Sequence, residues 1–236
     1  MKIPNNINDI ELIIGTEEGF FEKIIEENDW SFIIKLHAFF ESVCTQLLLF
    51  HFQQPELKDI FRRLELSNKD TGKVAFLEKL ELLSKYNRRY IASLSEIRNM
   101  VVHDAINLDF KFDDYINTIG KDKIKSLAIS FSPFETFIRY MIDKGHSDFP
   151  NIEVLKKQAD INNIINRFKE SPKLHIKIGA HSVLTDILDS HYYSDYKQWV
   201  QADKILDAGE VKAVELEVLK DIKDFIVKNH KSKKNK

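Results

Sequence analysis

The chain has a single cysteine, Cys44, in 236 residues. An internal disulfide scaffold and a cysteine-based zinc cluster within one chain are therefore excluded. Gly 7 and Pro 5 are both scarce for this length, and so few breakers disfavour a many-turned β fold and favour long helices. Charge of one sign is lacking too: 35 Lys and Arg stand against 37 Asp and Glu, a net charge of -2. Affinity for nucleic acid would then have to come from a local patch. No long uninterrupted apolar run is present. The most apolar segment, Trp30 to Phe52, is broken by Lys35, His37, Glu41 and Gln46, which reads as a buried core helix rather than a membrane span. Met1 to Asp9 is polar and has no apolar h-region, so no signal peptide is expected. These features predict a cytoplasmic protein with no membrane association. The absence of GxxxxGK[ST], GxGxxG and GxSxG patterns argues against P-loop, Rossmann and α/β-hydrolase chemistry.

What is present is helical periodicity. With 43% hydrophobic and 31% charged residues the composition is that of a soluble globular protein. Two short helical patterns between Asn8 and Glu27 split at Gly15. Asp29 is placed to cap a helix from about Trp30 to Gln53, ending before Pro55. Its wide stripe (Phe32, Ile33, Leu36, Phe39, Phe40, Val43, Leu47, Leu48) makes it central. A short helix follows at Leu57 to Leu64, then a polar loop to Gly72. Val74, Leu77, Leu80 and Leu83 predict a further helix, and Ile91, Leu94, Ile97 and Val101 another from about Arg88 to Asp104. Asn107 to Gly120 reads as looser chain. Helical patterns resume at 121–130, 134–144, 152–169 and 171–190, with Gly179 as a possible break, and at Gly209 to His230, before a basic tail. Gly145 to Pro150 is the expected boundary. The predicted class is all-α.

One stretch concentrates chemistry. Glu96-Ile97-Arg98-Asn99-Met100-Val101-Val102-His103-Asp104 holds a fixed positive charge, an amide, an imidazole and two carboxylates. On an ideal helix Arg98 and His103, five residues apart, project about 140° from each other. His103 aligns instead with Asn99 and Glu96. A site shared by Arg98 and His103 requires Arg98 to reach around, the helix to fray, or a second protomer, and a homodimer is expected on that ground.

With Asn99 directly after Arg98 and His103 at the end of an Arg-x4-His pattern, the chain resembles the HEPN superfamily over about Trp30 to Ser130. It is also similar there to mannitol-repressor-like branches through Ile97, Arg98, Asn99 and His103. The resemblance implies a HEPN-like helical bundle at residues 1–145, with residues 146–236 an additional C-terminal helical region. It further implies a dimer whose motifs face a common cleft. In that setting Arg98 and His103 would be catalytic residues of a metal-independent endoribonuclease with no cofactor, of a toxin or defence kind, acting on RNA and paired with an antitoxin or regulatory protein. Asn99 would bind substrate. Glu41 and Glu96 would support the site, Glu41 as the buried partner of Arg98. The other reading is a non-catalytic regulator or adaptor that uses the same cleft to bind a ligand, nucleic acid or protein.

The chemistry suits these residue types. A 2′-hydroxyl attacking the adjacent phosphate needs a proton acceptor working near neutral pH, which is histidine. A guanidinium stabilises the charge gathered on phosphorus. Elsewhere, His37 reads as a core or interface histidine, and Arg62-Arg63 and Arg88-Arg89 as solvated faces able to extend a phosphate-binding surface. His175, His181 and His191 lack the spacing of a helical zinc site. Tyr192, Tyr193, Tyr196 and Trp199 read as core.

Overall fold

The computed structural model describes residues 4, 6–103, 108–143, 153, 156, 157 and 159–191, and the expectations for Gly145–Pro150, the Tyr192–Trp199 aromatics and the Gly209–His230 helix fall outside them. Among the described residues the protein is all-α, with no strand.

The central element is α3 (Asp29–Phe52). Apolar residues occur around its whole circumference, so it needs neighbours on every side. It receives them from α1 (Ile7–Ile14), α4 (Lys58–Arg63), α5 (Lys73–Lys79) and α6 (Lys85–His103). By length and composition α3 is apolar enough to cross a membrane. In this fold, however, Phe32, Ile33, Leu36, Phe40 and Leu48 on it are completely buried in the protein core.

Asn28, not Asp29, caps α3: its Oδ1 accepts from Ser31 N at 2.8 Å. Asp29 is already helical, and its Oδ2 instead accepts from Phe112 N at 2.9 Å. That bond caps α7 (Phe112–Thr118), which lies in the stretch expected to be loose and has no local side-chain cap. Near the N-terminus Gly15 ends α1 in the left-handed region (φ 82), as its position predicts. Buried Glu11 then accepts from Gly19 N and Phe21 N, both at 2.7 Å, and so satisfies the first turn of α2 (Phe20–Lys23).

α5 stops at Lys79, short of the predicted Leu83, because Glu81 turns into the left-handed region (φ 59). Leu83 stays buried nonetheless, held by its N–H bonding back to Leu77 O at 3.3 Å.

Beyond α8 (Lys121–Ser130) and α9 (Pro133–Asp143), α10 (Ile161–Glu170) and α11 (Pro172–His191) join the same core. Phe168, Ile176, Val183 and Leu184 are completely buried within it. Phe168 stacks on Phe131 with centroids 6.1 Å apart. Tyr90 of α6 donates to Ile176 O at 2.8 Å, and Lys177 reaches Glu22 Oε2 at 2.8 Å. Gly179 does not break α11. An added Cβ there would overlap the Phe131 carbonyl oxygen and lie 2.9 Å from Tyr90 Cε2. The glycine is what lets α11 seat against α6 and the end of α8.

Candidate functional site

The C-terminal half of α6 carries the predicted residues. Tyr90, Ile91, Leu94, Ile97 and Val101 bury one side of the helix against the core. The opposite side is exposed along Lys85, Arg89, Ala92, Glu96, Asn99 and His103. These six positions fall within about 80° of arc at 100° per residue. The helix stays α-helical through His103, and its last turn is anchored by Trp30, whose indole donates to Val101 O at 3.2 Å.

Arg98 does not share the stripe with His103. It is half-buried, about 180° around the helix from Arg89. Its Nη1 reaches to the neighbouring amide and donates to Asn99 Oδ1 at 3.1 Å. The structure thus brings Arg98 and Asn99 together and leaves His103 exposed two positions past Val101. Among the described residues His103 has no side-chain partner.

Glu41 is not the partner of Arg98. Its Oε1 accepts from Lys73 Nζ at 2.8 Å. Lys73 opens α5 with a completely buried side chain, and its ammonium also reaches Arg62 O at 3.4 Å. An ammonium with no access to water has to take the nearest carboxylate, whereas half-buried Arg98 is satisfied at the surface. Glu96 pairs with Lys123 across to α8. Both acids assigned to support the motif are therefore tied to lysines.

Beside Arg98, His37 is buried with its Nε2 3.2 Å from Ser95 Oγ. Burial, reinforced by the Arg98 charge, pushes its pKa down to about 4. A neutral imidazole on a serine hydroxyl is a core pair between α3 and α6 rather than a proton carrier near pH 7. His175 is similarly placed, 2.7 Å from Ser132 Oγ and edge-on to Phe168. Burial holds its pKa down at about 4.

Lys73 and Ser95 escaped the sequence reading. The one available signal was Glu41 itself, an acid on an apolar stripe that demands a cation but does not say which. Among the described residues no group of three or more His, Cys, Asp and Glu side chains is arranged to hold a metal ion.

The architecture defines an all-α protein whose second long helix presents a polar, solvent-facing edge ending in Asn99 and His103. No known family model, curated protein or solved structure matches the chain.

Proposed function

We propose that this chain is a HEPN-like, metal-independent endoribonuclease whose working site forms between two copies, with Arg98 and His103 as its reacting groups. The observation that carries the reading is the end of α6. There an exposed imidazole shares a stripe with Asn99, while Arg98 is rooted on another face and its guanidinium reaches only as far as that same Asn99. One straight helix does not bring Arg98 and His103 onto one phosphate, and a second protomer across a dyad supplies the missing group.

In that cleft His103 takes the proton of a ribose 2′-hydroxyl as its oxygen bonds to phosphorus. The bond from phosphorus to the 5′ oxygen breaks, that oxygen is protonated, and a 2′,3′-cyclic phosphate and a 5′-hydroxyl remain. The second copy's histidine is available as the acid. Arg98 balances the charge on the phosphoryl oxygens, oriented by Asn99.

His103→Ala is expected to abolish cleavage of a mixed RNA pool in the presence of EDTA, a loss of about a hundredfold or more, without lowering the melting temperature. Arg98→Ala should lose activity similarly, and it too should keep its stability because Lys73 holds Glu41. Equal cleavage by wild type and His103→Ala would refute the assignment. A second reading, a non-catalytic regulator or adaptor, is favoured by one feature: no side chain among the described residues orients His103, whereas a general base is ordinarily held by a third group. Absence of cleavage by wild type on varied RNAs would select it.

A further inference from the structure

At the other end of the same stripe lies an open groove of about 320 Å³, between the 64–72 loop with α5 on one side and the first half of α6 on the other. Four cations line it, Lys69, Lys85, Arg88 and Arg89, against one acid, Glu78. In a chain of net charge -2 this is a local concentration of positive charge.

The groove is built rather than a chance meeting of surface side chains. Arg89 is fixed by its Nε, which donates to Ser130 Oγ at 2.9 Å, while that hydroxyl donates to Ser126 O at 2.7 Å. One donor is used internally, and the two terminal amino groups of the guanidinium remain for a ligand. Arg88 is oriented by its pair with Glu78, and Lys85 lies over the Tyr86 ring at 5.0 Å. Lys69 stands on a loop closed on itself. Asn68 Oδ1 accepts from Asp70 N and Thr71 N, both at 3.0 Å, and Lys73 N bonds Glu65 O at 2.9 Å. Gly72 packs so tightly on this turn that an added Cβ would meet Asn68 O at 2.5 Å. The Lys73–Glu41 pair, with its buried ammonium, then pins the loop to α3.

The floor is Ala75 and Ala92, and no aromatic side chain is among the lining residues. The groove thus offers donors for oxyanions and no aromatic ring for a base to stack on. It is only partly enclosed, whereas sites for small ligands enclose most of the ligand surface. Such a surface suits the backbone of a polymer better than a free nucleotide. Lys85, Arg89 and Ala92 continue in line through Glu96, neutralised by Lys123, to Asn99 and His103. From Arg89 to His103 the rise is about 21 Å at 1.5 Å per residue. That equals about six nucleotides of a stacked strand at roughly 3.4 Å each.

We propose that the Lys69–Lys85–Arg88–Arg89 groove binds the phosphates of an RNA strand and lays that strand along the exposed stripe of α6 toward His103. The choice of RNA as the polymer rests on the ribonuclease reading; the anion chemistry does not. The test uses the full chain carrying His103→Ala, so that a 12-nucleotide single-stranded RNA probe survives, and reads fluorescence anisotropy between 50 and 200 mM salt. Lys69→Gln, Lys85→Gln and Arg89→Gln together remove three exposed charges. Three phosphate contacts correspond to a slope of about 2 in log affinity against log salt, so over this range the unsubstituted groove should lose about 20-fold more affinity than the triple variant. The melting temperatures should agree within a few degrees, since all three side chains are exposed and Ser130 Oγ keeps its bond to Ser126 O when Arg89 is replaced. Equal affinity and slope in the two proteins, no binding by either, or displacement of the probe by AMP at equal phosphate concentration would each overturn the groove. Groove-dependent binding with no cleavage by wild type refutes the ribonuclease reading and leaves the groove standing. Cleavage by wild type that the triple substitution leaves unchanged does the reverse.

Discussion

Removing either half of the Lys73–Glu41 pair should produce very different losses, because the two partners are not equally buried. The Lys73 side chain has no exposure, while that of Glu41 is 41% exposed. Glu41→Ala strands an ammonium in the core with only Arg62 O, at 3.4 Å, for company. Breaking a buried pair by removing the partner of the buried charge costs about 3–5 kcal/mol, and the partial exposure of Glu41 places this case near 3. Lys73→Met removes the buried charge itself, fills nearly the same space and leaves a carboxylate that reaches water. Its cost should be within about 1 kcal/mol of zero. In a chain of this size each kcal/mol moves the melting temperature by roughly 2–4 °C, so Glu41→Ala should melt about 6–12 °C lower and Lys73→Met within a few degrees of wild type. The double variant Glu41→Ala/Lys73→Met should recover most of the loss, the non-additivity expected of residues in contact. Thermal melts by circular dichroism at pH 7 measure all three. If Lys73→Met proved costlier than Glu41→Ala, Lys73 would owe its place to packing rather than to its charge, and the reasoning would fail.

Two further outcomes follow from the core. His37 and His175 are both held at about 4 by burial, against an ordinary value of 6.5. Between those values the unfolded chain binds protons that the folded chain does not. Stability is therefore full above about pH 6.5 and declines as pH falls toward 4, by about 1 kcal/mol per pH unit for each ring; melts of His175→Gln should show a visibly shallower decline between pH 6.5 and 5, and an unchanged one would contradict the assignment. Gly179→Ala reverses the usual helical preference for alanine. Instead of a gain of nearly 1 kcal/mol, the overlap with the Phe131 carbonyl should cost about 1–3 kcal/mol, read as a lower melting temperature, with Gly120→Ser, a better N-cap for α8 at a position where an added Cβ meets nothing within 4 Å, as a control that does not lower it.

What the sequence made legible was whatever is encoded locally. The stripes of α3 and α6 follow from periodicity, and the end of α1 at Gly15 follows from a residue that tolerates positive φ. The misses share one physical origin, a partner far away along the chain. α7 begins where Asp29, 83 residues earlier, takes its first N–H, so no local capping signal announces it. Asp29 in turn is not the cap of its own helix because that distant donor claims its carboxylate. Gly179 reads as a breaker until α11 is seen against Phe131, and then its missing side chain is what permits the packing. Glu41 announced that a cation was needed. Its choice of Lys73 over Arg98 depended on which of the two the fold deprives of water.

The same division holds at the motif. That Arg98 and His103 occupy different faces was calculable from a spacing of five residues, and α6 keeps that geometry because it remains helical to His103. The spacing does not show which neighbours each face has. Arg98 is half-buried, with its charge felt by His37 on α3 and its guanidinium at the surface on Asn99, whereas His103 looks outward along a stripe that begins at Lys85 and Arg89. A polymer lying on that stripe meets Arg89, then Asn99 and His103, and touches the Arg98 of its own chain only where its guanidinium bonds Asn99. On the proposed reading, the guanidinium facing His103 across the scissile phosphate comes from another copy, docked with its Arg98 edge against this stripe. The groove and the dimer are then not separate features: the first sets the direction in which a strand arrives, and the second closes the end at which it is cut.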